Sequence, residues 1–259
     1  MQVTTSPFGT LPGGATVDAI ELVAGSYAAT VLTYGGILAS FIGPDGGGVR
    51  GEVVVGFDDL EGWRNDPQYF GALVGRFANR IARGQFPLDG ADVQVAVNRP
   101  PHHLHGGVVG FDKVIWSAEP FEERDLLGVV LRHHSPDGDE GFPGALDIAV
   151  TYSLDTAGAL TLTYVATCDA PTIVNLTNHV YFDLGGTGSV LDHELTVHAS
   201  EFLEVDAATI PSGRLLAVEG TPFDFRTPHR IGGRITDDHP QLEVAGGYDH
   251  CFAVDGERG

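Results

Sequence analysis

Residues 175–184, Asn-Leu-Thr-Asn-His-Val-Tyr-Phe-Asp-Leu, combine polar groups that suit acid–base work on a small ligand. If this run is a strand, alternate residues share a face, which places Asn175, Thr177, His179 and Tyr181 together. Four polar groups on one face of a strand usually line either water or a ligand. An imidazole, with an ordinary pKa of about 6.5, gives and recovers a proton near neutral pH. His179 is therefore the first candidate for proton transfer.

A second polar run, residues 74–86, carries Arg76, Asn79, Arg80 and Arg83. One interpretation is a solvated polar face opposite the apolar residues of the same run, and the pattern alone favours it. The other is that Asn79 and Arg80 donate hydrogen bonds to ligand oxygens, for which a planar guanidinium is well suited.

Three histidines, His102, His103 and His105, stand just before Gly106 and Gly107. A surface histidine cluster and a ligand site are about equally compatible with this pattern. Because glycines let a ligand approach the backbone closely, His105 is the best single candidate of the three.

Asp249 stands in a run where Tyr248, His250 and Phe252 alternate with Asp249 and Cys251. Its carboxylate is able to accept hydrogen bonds from hydroxyl groups. The alternative is an acidic residue that caps the end of a strand.

Signatures of metal and nucleotide sites are not met. His193 and His198 have the wrong spacing for zinc, and in a strand they would lie on opposite faces. The acidic run 135–144 lacks the regularly placed oxygen ligands of a calcium loop, and a tight turn between strands explains it better. No phosphate-binding loop or nucleophile elbow occurs. We therefore expect no metal ion and no cofactor.

The composition argues against several classes of partner. A net charge of -21, from 35 acidic and 14 basic residues, disfavours nucleic acid and anionic membranes. No apolar run is long enough to span a bilayer, and the first residues do not resemble a secretory signal. Two cysteines, Cys168 and Cys251, are too few for a disulfide scaffold. We expect a cytoplasmic monomer or homodimer.

Short strand-like runs between turn residues predict an all-β fold, a β-sandwich or barrel. Residues 160–165 alternate apolar and polar side chains, as a half-buried antiparallel strand does. One short helix is expected at residues 58–64, with Asp58 or Asp59 as its cap. No domain boundary is evident, so residues 1–259 are expected to form one domain. The clearest strand-like runs are 27–34, 53–57, 93–97, 127–133, 146–154 and 160–167.

Five of these segments, in this order along the chain, resemble the aldose 1-epimerase (galactose mutarotase) family. They are Gly-Arg-Phe-Ala-Asn-Arg-Ile from 75, Leu-His-Gly-Gly from 104 with Gly-Phe-Asp-Lys-Val from 110, Ser-Pro-Asp-Gly-Asp-Glu-Gly-Phe-Pro-Gly from 135, Asn-Leu-Thr-Asn-His from 175, and Gly-Tyr-Asp-His from 247. The resemblance covers nearly the whole chain and implies a large antiparallel β-sandwich, the galactose mutarotase-like supersandwich, with the sugar in a cleft.

The resemblance also implies a reaction and the residues for it. The family interconverts the α and β anomers of free hexoses such as galactose or glucose without a cofactor. By resemblance, His179 is the general acid at the ring oxygen and His105 assists it. Asn79, Arg80 and Asp249 bind sugar hydroxyls, with Tyr181 beside the acid. The alternatives are a non-catalytic sugar-binding protein of the same fold and a sugar-phosphate epimerase. A phosphorylated substrate would need extra cationic groups near the cleft, and the chain has a single lysine.

The general base in the family is a glutamate on a strand downstream of the Tyr-Asp-His segment. Glu257 follows that segment here but does not match the motif of the base, so it is not assigned the role. We therefore expect the domain to be C-terminally incomplete and its activity to depend on where the base comes from.

Overall fold

A computed structural model describes residues 1–256, and strands dominate it. The chain divides into two compact units, Met1–Phe182 and Asp183–Gly259. Among the described residues, two short α-helices, α1 (Leu60–Arg64) and α2 (Pro240–Ala245), lie one in each unit. The strands of the described residues are β1 (Gln2–Thr10), β2 (Thr16–Ala24), β3 (Tyr27–Leu32), β4 (Leu38–Pro44), β5 (Arg50–Glu52), β6 (Leu73–Val74), β7 (Arg80–Ile81), β8 (Gln85–Leu88), β9 (Ala91–Gln94), β10 (His103–Leu104), β11 (Ser117–Glu122), β12 (Leu126–Ser135), β13 (Leu146–Asp155), β14 (Leu160–Cys168), β15 (Thr177–Asn178), β16 (Glu194–Leu195), β17 (Ala199–Val205), β18 (Pro211–Ala217), β19 (His229–Arg230) and β20 (Phe252–Val254).

The first unit is built around two antiparallel sheets that share one apolar core. One sheet has the order β1-β2-β3-β4-β5 and the other β11-β12-β13-β14. Ile20 and Leu22 of β2 are fully buried in the same cluster as Val129 and Leu131 of β12. Each such side chain removed from water stabilises the fold by about 1.5–3 kcal/mol, so the shared core holds the sheets face to face. This antiparallel sandwich confirms the predicted fold class.

Strand β13 shows how the sequence pattern builds this core. Its burial alternates along the whole strand, and Ile148, Val150 and Tyr152 belong to the buried face. The opposite face of the strand keeps residues such as Asp147 at the surface. A period of two is what a strand with one buried face requires.

Four of the predicted strands are confirmed, as β3, β12, β13 and β14, and one is wrong. Residues 53–57 were expected to form a strand, but β5 ends at Glu52. The Glu52 carboxylate accepts hydrogen bonds from the backbone N–H groups of Val53 and Val54 at 3.0 and 2.9 Å. The Val53 N–H also donates to Phe41 O of β4 at 3.0 Å, but the Val55 N–H donates to Tyr181 O at 2.9 Å, so the chain leaves β4 within this run. The run 93–97 is only partly strand, since β9 ends at Gln94.

Helix α1 is the one predicted from residues 58–64, and its cap is Asp59. The Asp59 carboxylate accepts a hydrogen bond from the Gly62 N–H at 2.8 Å, which satisfies one of the free donors of the first turn. Trp63 is the buried residue of the helix and packs edge-on against Phe57, with ring centroids 5.3 Å apart.

The second unit has its own smaller core. A sheet of order β18-β17-β20 packs with α2, and β16 pairs with β19. Phe202 and Phe223 are fully buried and stack with centroids 4.1 Å apart. Helix α2 starts with a proline in its first turn and ends at Gly246, whose φ of 70° is the left-handed cap conformation that glycine adopts without strain.

The run 175–184 is extended, but only β15 within it is a strand. Its backbone hydrogen bonds go to separate places: the Asn175 N–H donates to Arg76 O at 2.9 Å, and Tyr181 O accepts from the Val55 N–H at 2.9 Å. A continuous ladder is therefore not formed, and the expected long strand is corrected to a short one with extended flanks.

Candidate active site

One stretch of chain, residues 71–81, pairs with both histidine-bearing segments. Strand β6 within it pairs with β15, which directly precedes His179. Strand β7 pairs with β10, which directly precedes His105. The two histidines are far apart in sequence, but each follows a strand that pairs with this one stretch of chain.

The backbone on both sides of His179 is fixed by this stretch. Its N–H donates to Ala72 O at 2.9 Å, and its carbonyl accepts from the Gly71 N–H at 3.1 Å. The side-chain amide of Asn178 donates to Gly71 O at 2.7 Å and to the hydroxyl of Tyr152 at 3.0 Å. Tyr152 is fully buried, so the position of His179 is set by contacts that reach into the core.

His105 is held by Asn79 through two reciprocal hydrogen bonds. The Asn79 N–H donates to Nδ1 of His105 at 2.9 Å, and the His105 N–H donates to Asn79 O at 3.1 Å. Both residues adopt the left-handed conformation, with φ of 67° and 52°. Since Nδ1 accepts, the neutral ring carries its proton on Nε2. His105 therefore presents a hydrogen-bond donor.

The two neighbouring histidines have structural roles instead. His103 is fully buried, with Nδ1 at 2.7 Å from Ala96 O and Nε2 accepting from the Gly106 N–H at 3.2 Å. Nδ1 of His102 accepts from the Arg83 N–H at 3.1 Å. The interpretation of these three residues as a surface cluster is therefore wrong for His103.

His105, His179 and Tyr181 lie together. The ring centroids of His105 and His179 are 5.2 Å apart, with the rings nearly perpendicular. His179 stacks on Tyr181 at 5.3 Å, and Phe70 packs edge-on against Tyr181 at 4.8 Å. His179 is half-buried and 41% of Tyr181 is exposed, so the group is open to a ligand.

Burial lowers the pKa of His105 to about 4, and the charges of His179 and Arg80 act in the same direction. The imidazole of His105 is consequently neutral at physiological pH. A neutral ring with its proton on Nε2 is suited to donate a hydrogen bond to a ligand oxygen.

Asn79 and Arg80 lie at the start of β7 beside His105. Nη1 of Arg80 donates to Oδ1 of Asn79 at 3.2 Å, which orients the two side chains relative to each other. Asn79 is exposed and Arg80 half-buried. The Asn79 amide N–H groups and the rest of the guanidinium are donors of the type that sugar hydroxyls accept.

Arg76 shows where the solvated-face interpretation fails. It is only 2% exposed, and its guanidinium fills a niche in the turn between β12 and β13. Nε donates to the Ser135 hydroxyl at 2.8 Å, Nη2 to Ser135 O at 2.8 Å, and Nη1 to Gly144 O at 2.7 Å. Arg83, in contrast, is exposed as that interpretation expects.

The same turn also supports the loop that follows His105. The Glu140 carboxylate accepts hydrogen bonds from the N–H groups of Val108 and Val109 at 2.8 and 2.9 Å. The acidic run 135–144 is thus a structured turn, as predicted, that fastens the glycine loop after His105.

Tyr69 is a member of this group that the sequence analysis missed. Its ring lies 4.8 Å from that of His105 and 6.0 Å from that of His179. The residue lies in an irregular loop after α1, where no periodicity marks its face. The contact arises from tertiary structure alone.

Asp249 is exposed in the second unit, in the segment between α2 and β20. Its role as a ligand of sugar hydroxyls stays a prediction. Within residues 1–256, no group of three or more His, Cys, Asp or Glu side chains is placed to hold a metal ion. Nor is any helix in the described part of the chain long and apolar enough to cross a membrane.

Comparison with known proteins gives consistent matches. The family model for aldose 1-epimerase matches residues 18–258. The galactose mutarotase of Bos taurus is 42% identical over 100% of this chain and 73% of its own length. The aldose 1-epimerase of Escherichia coli is 39% identical over 87% of this chain and 64% of its own length.

Solved structures agree with these relatives. A galactose 1-epimerase from Lactobacillus acidophilus superposes with a TM-score of 0.90 at 29% identity, covering 100% of this chain and 75% of its own. A GalM/aldose epimerase homologue from C. elegans superposes with a TM-score of 0.79 at 31% identity, covering 92% and 72%. By its sequence, its fold and the order of its motifs, this chain belongs to the aldose 1-epimerase family.

Proposed function

We propose that this protein interconverts the α and β anomers of a free hexose such as galactose or glucose by acid–base ring opening. The observation that carries the proposal is the pair His105 and His179, with ring centroids 5.2 Å apart, beside the hydroxyl-binding donors of Asn79 and Arg80. Family membership supports the reaction type, and the relatives compared above carry the names of mutarotases and epimerases.

In the proposed reaction, His179 in its protonated form gives a proton to the ring oxygen of the sugar. A base removes the proton of the anomeric hydroxyl, the bond between C1 and the ring oxygen breaks, and the open-chain aldehyde forms. Rotation about the C1–C2 bond exposes the other face of the carbonyl. Ring closure then returns both protons, so His179 acts as acid and afterwards as base.

His105 contributes a hydrogen bond rather than a proton. Its neutral ring, with the proton on Nε2, stabilises the charge that develops near the ring oxygen. Asn79 and Arg80 hold hydroxyl groups of the sugar, and Tyr181 packs on the acid. The same role for Asp249 rests on the resemblance alone. A donor fixed before the substrate arrives needs no reorganisation during the reaction, which is the main source of electrostatic catalysis.

The base is the part of the mechanism for which the described residues offer no assignment. The resemblance implies a glutamate downstream of Asp249, and the one glutamate of this chain after Asp249 is Glu257. Glu257 lies outside the described residues and does not match the motif of the family base. We therefore assign the acid and the hydroxyl-binding groups and leave the base unassigned.

We further propose a cytoplasmic enzyme that works as a monomer or homodimer on a small sugar, as one catalytic domain without a cofactor. The two cysteines, Cys168 and Cys251, are both free and exposed, in keeping with a reducing compartment. The acidic composition disfavours nucleic acid as a partner.

Exchange between anomers, followed by proton NMR of their C1–H signals, tests the proposal and its alternatives together. We expect faster exchange for galactose or glucose, with little effect on a hexose 6-phosphate. A rate enhancement confined to the phosphorylated sugar would indicate a sugar-phosphate epimerase. Sugar binding in calorimetry without faster exchange between anomers would indicate a non-catalytic sugar-binding protein.

A further inference from the structure

The ring of Tyr69 contacts both histidines of the candidate site. It meets His105 edge-on, with centroids 4.8 Å apart and an interplanar angle of 63°, and lies tilted against His179 at 6.0 Å. Together with the contact between the histidines, this closes a triangle of three rings. Aromatic pairs at such separations have preferred geometries, so each ring restricts the orientation of the other two.

The backbone of Tyr69 is held in a conformation that a tyrosine rarely adopts. Its φ is 61°, in the left-handed region, where a residue with a bulky side chain is strained. Asp66 fixes the loop, because its carboxylate accepts from the N–H groups of Gln68 at 2.8 Å and Phe70 at 2.6 Å. Backbone strain of this kind concentrates at functional sites. Asn79 and His105 share the same conformation.

Lys113 supports the ring of Tyr69. The ammonium of Lys113 lies over the ring, 5.2 Å from its centroid, and forms an ion pair with the buried carboxylate of Asp112. A cation over an aromatic face is attracted by the quadrupole of the ring. Tyr69 is therefore fixed by its loop, by a cation and by two imidazoles. Burial raises the pKa of its hydroxyl, which stays protonated at neutral pH.

We propose that Tyr69 is a positioning residue of the anomer interconversion, whose ring sets the relative orientation of the acid His179 and the hydrogen-bond donor His105. The inference rests on the proposed function. The contribution comes from the aromatic ring, since the contacts that define it are ring contacts, and it acts on the chemical step more than on sugar binding.

Kinetics of Tyr69→Leu and Tyr69→Phe test this role. We expect Tyr69→Leu to lower kcat by about 10- to 100-fold with KM changed less than about threefold, because small displacements of reacting groups cost that much. Tyr69→Phe retains the ring, and its kcat should lie within about threefold of that of the wild type. An unchanged kcat in Tyr69→Leu, or an equal loss in both variants, would overturn the proposal.

A measurement without sugar separates this inference from the proposed function. The nuclear Overhauser effect between the ring C–H protons of His105 and His179, whose signals are identified by their absence in His105→Gln and His179→Gln, should weaken in Tyr69→Leu and persist in Tyr69→Phe. An effect of wild-type strength in Tyr69→Leu would show that the proposal is wrong whatever the kinetics show. If the effect weakens but the wild type does not interconvert anomers, the proposed function fails alone. Tyr69→Gln gives the same readout should the leucine variant not fold.

Discussion

The Asn79 N–H donates a hydrogen bond to Nδ1 of His105 at 2.9 Å, so a backbone group of another segment sets the tautomer of this side chain. The proton of the neutral imidazole must then lie on Nε2. Together with the low pKa of His105, this separates the roles of two histidines whose rings lie 5.2 Å apart. His105 is thereby a fixed donor, which supports the proposed role of His179 in proton transfer.

His105 should remain neutral down to about pH 4, because burial lowers its pKa to about that value. An NMR titration that follows its ring C–H signal should show a midpoint well below the ordinary 6.5. The signal is identified by its loss in His105→Gln. A midpoint at or above 6.5 would contradict the account of His105 as a neutral donor.

The same shift predicts how stability depends on pH. In the unfolded chain His105 takes up a proton near pH 6.5, but in the folded protein only near pH 4. The unfolded state therefore binds more protons between these values, and its stability relative to the folded state increases as the pH falls. The contribution of neutral His105 to the free energy of unfolding is fully present above pH 6.5 and is lost as the pH falls towards 4. Urea unfolding of His105→Gln should show a weaker acid dependence in this window; a dependence equal to that of the wild type would contradict it.

Replacement of Arg76 should destabilise the first unit. Arg76→Met removes the donors for Ser135 O and Gly144 O and leaves these carbonyls unsatisfied in the turn. We expect a loss of about 2–4 kcal/mol in the free energy of unfolding, measured by urea denaturation. The matched control is Arg83→Met on the same run, at an exposed position, with a change within about 0.5 kcal/mol. Equal effects of the two variants would refute the structural role.

Patterns of local origin were predictable from the sequence. The alternation of residues 146–154 requires only that one face of a strand be buried, and it became β13. The cap at Asp59 depends on a side chain three residues from its partner, Gly62. The motifs that mark the family named His105 and His179 before any geometry was known.

Features that depend on contacts between distant segments were not predictable. The charged side chain of Arg76 looks solvated until the turn at Ser135 folds over it. The role of Tyr69 follows only from its loop meeting two other segments. The end of β5 depends on the chain turning towards Tyr181, whose carbonyl accepts from the Val55 N–H, and a hydrophobic pattern does not encode that contact.

Glu140 should support catalysis from outside the site. Its carboxylate fastens the loop after His105 through the N–H groups of Val108 and Val109. Glu140→Ala frees both donors, and we expect kcat to fall by about tenfold or more as His105 loses its fixed orientation. Glu123→Gln, at an exposed position, serves as the control and should retain wild-type kinetics. An unchanged kcat in Glu140→Ala would show that the loop after His105 keeps its conformation without these hydrogen bonds.

Asn178 should hold the backbone before His179 in place against the core. Asn178→Ala removes the donors to Gly71 O and the Tyr152 hydroxyl, which fix the chain just before His179. We expect a loss of about 1–3 kcal/mol in unfolding free energy and a lower kcat with little change in KM. Thermal unfolding and steady-state kinetics check the two effects. A stability loss with unchanged kcat would limit Asn178 to a structural role.

Polarimetry of freshly dissolved α-galactose or α-glucose tests the central claim, that His179 transfers the proton. The wild type should accelerate mutarotation, and His179→Gln should lower kcat/KM by about 10²- to 10⁴-fold, the usual contribution of a general acid–base residue. His134→Gln is the matched control, since His134 is exposed; it pairs with Asp147 across β12 and β13, away from the candidate site residues, and should match the wild type. Undiminished mutarotation by His179→Gln would contradict the assignment of the acid.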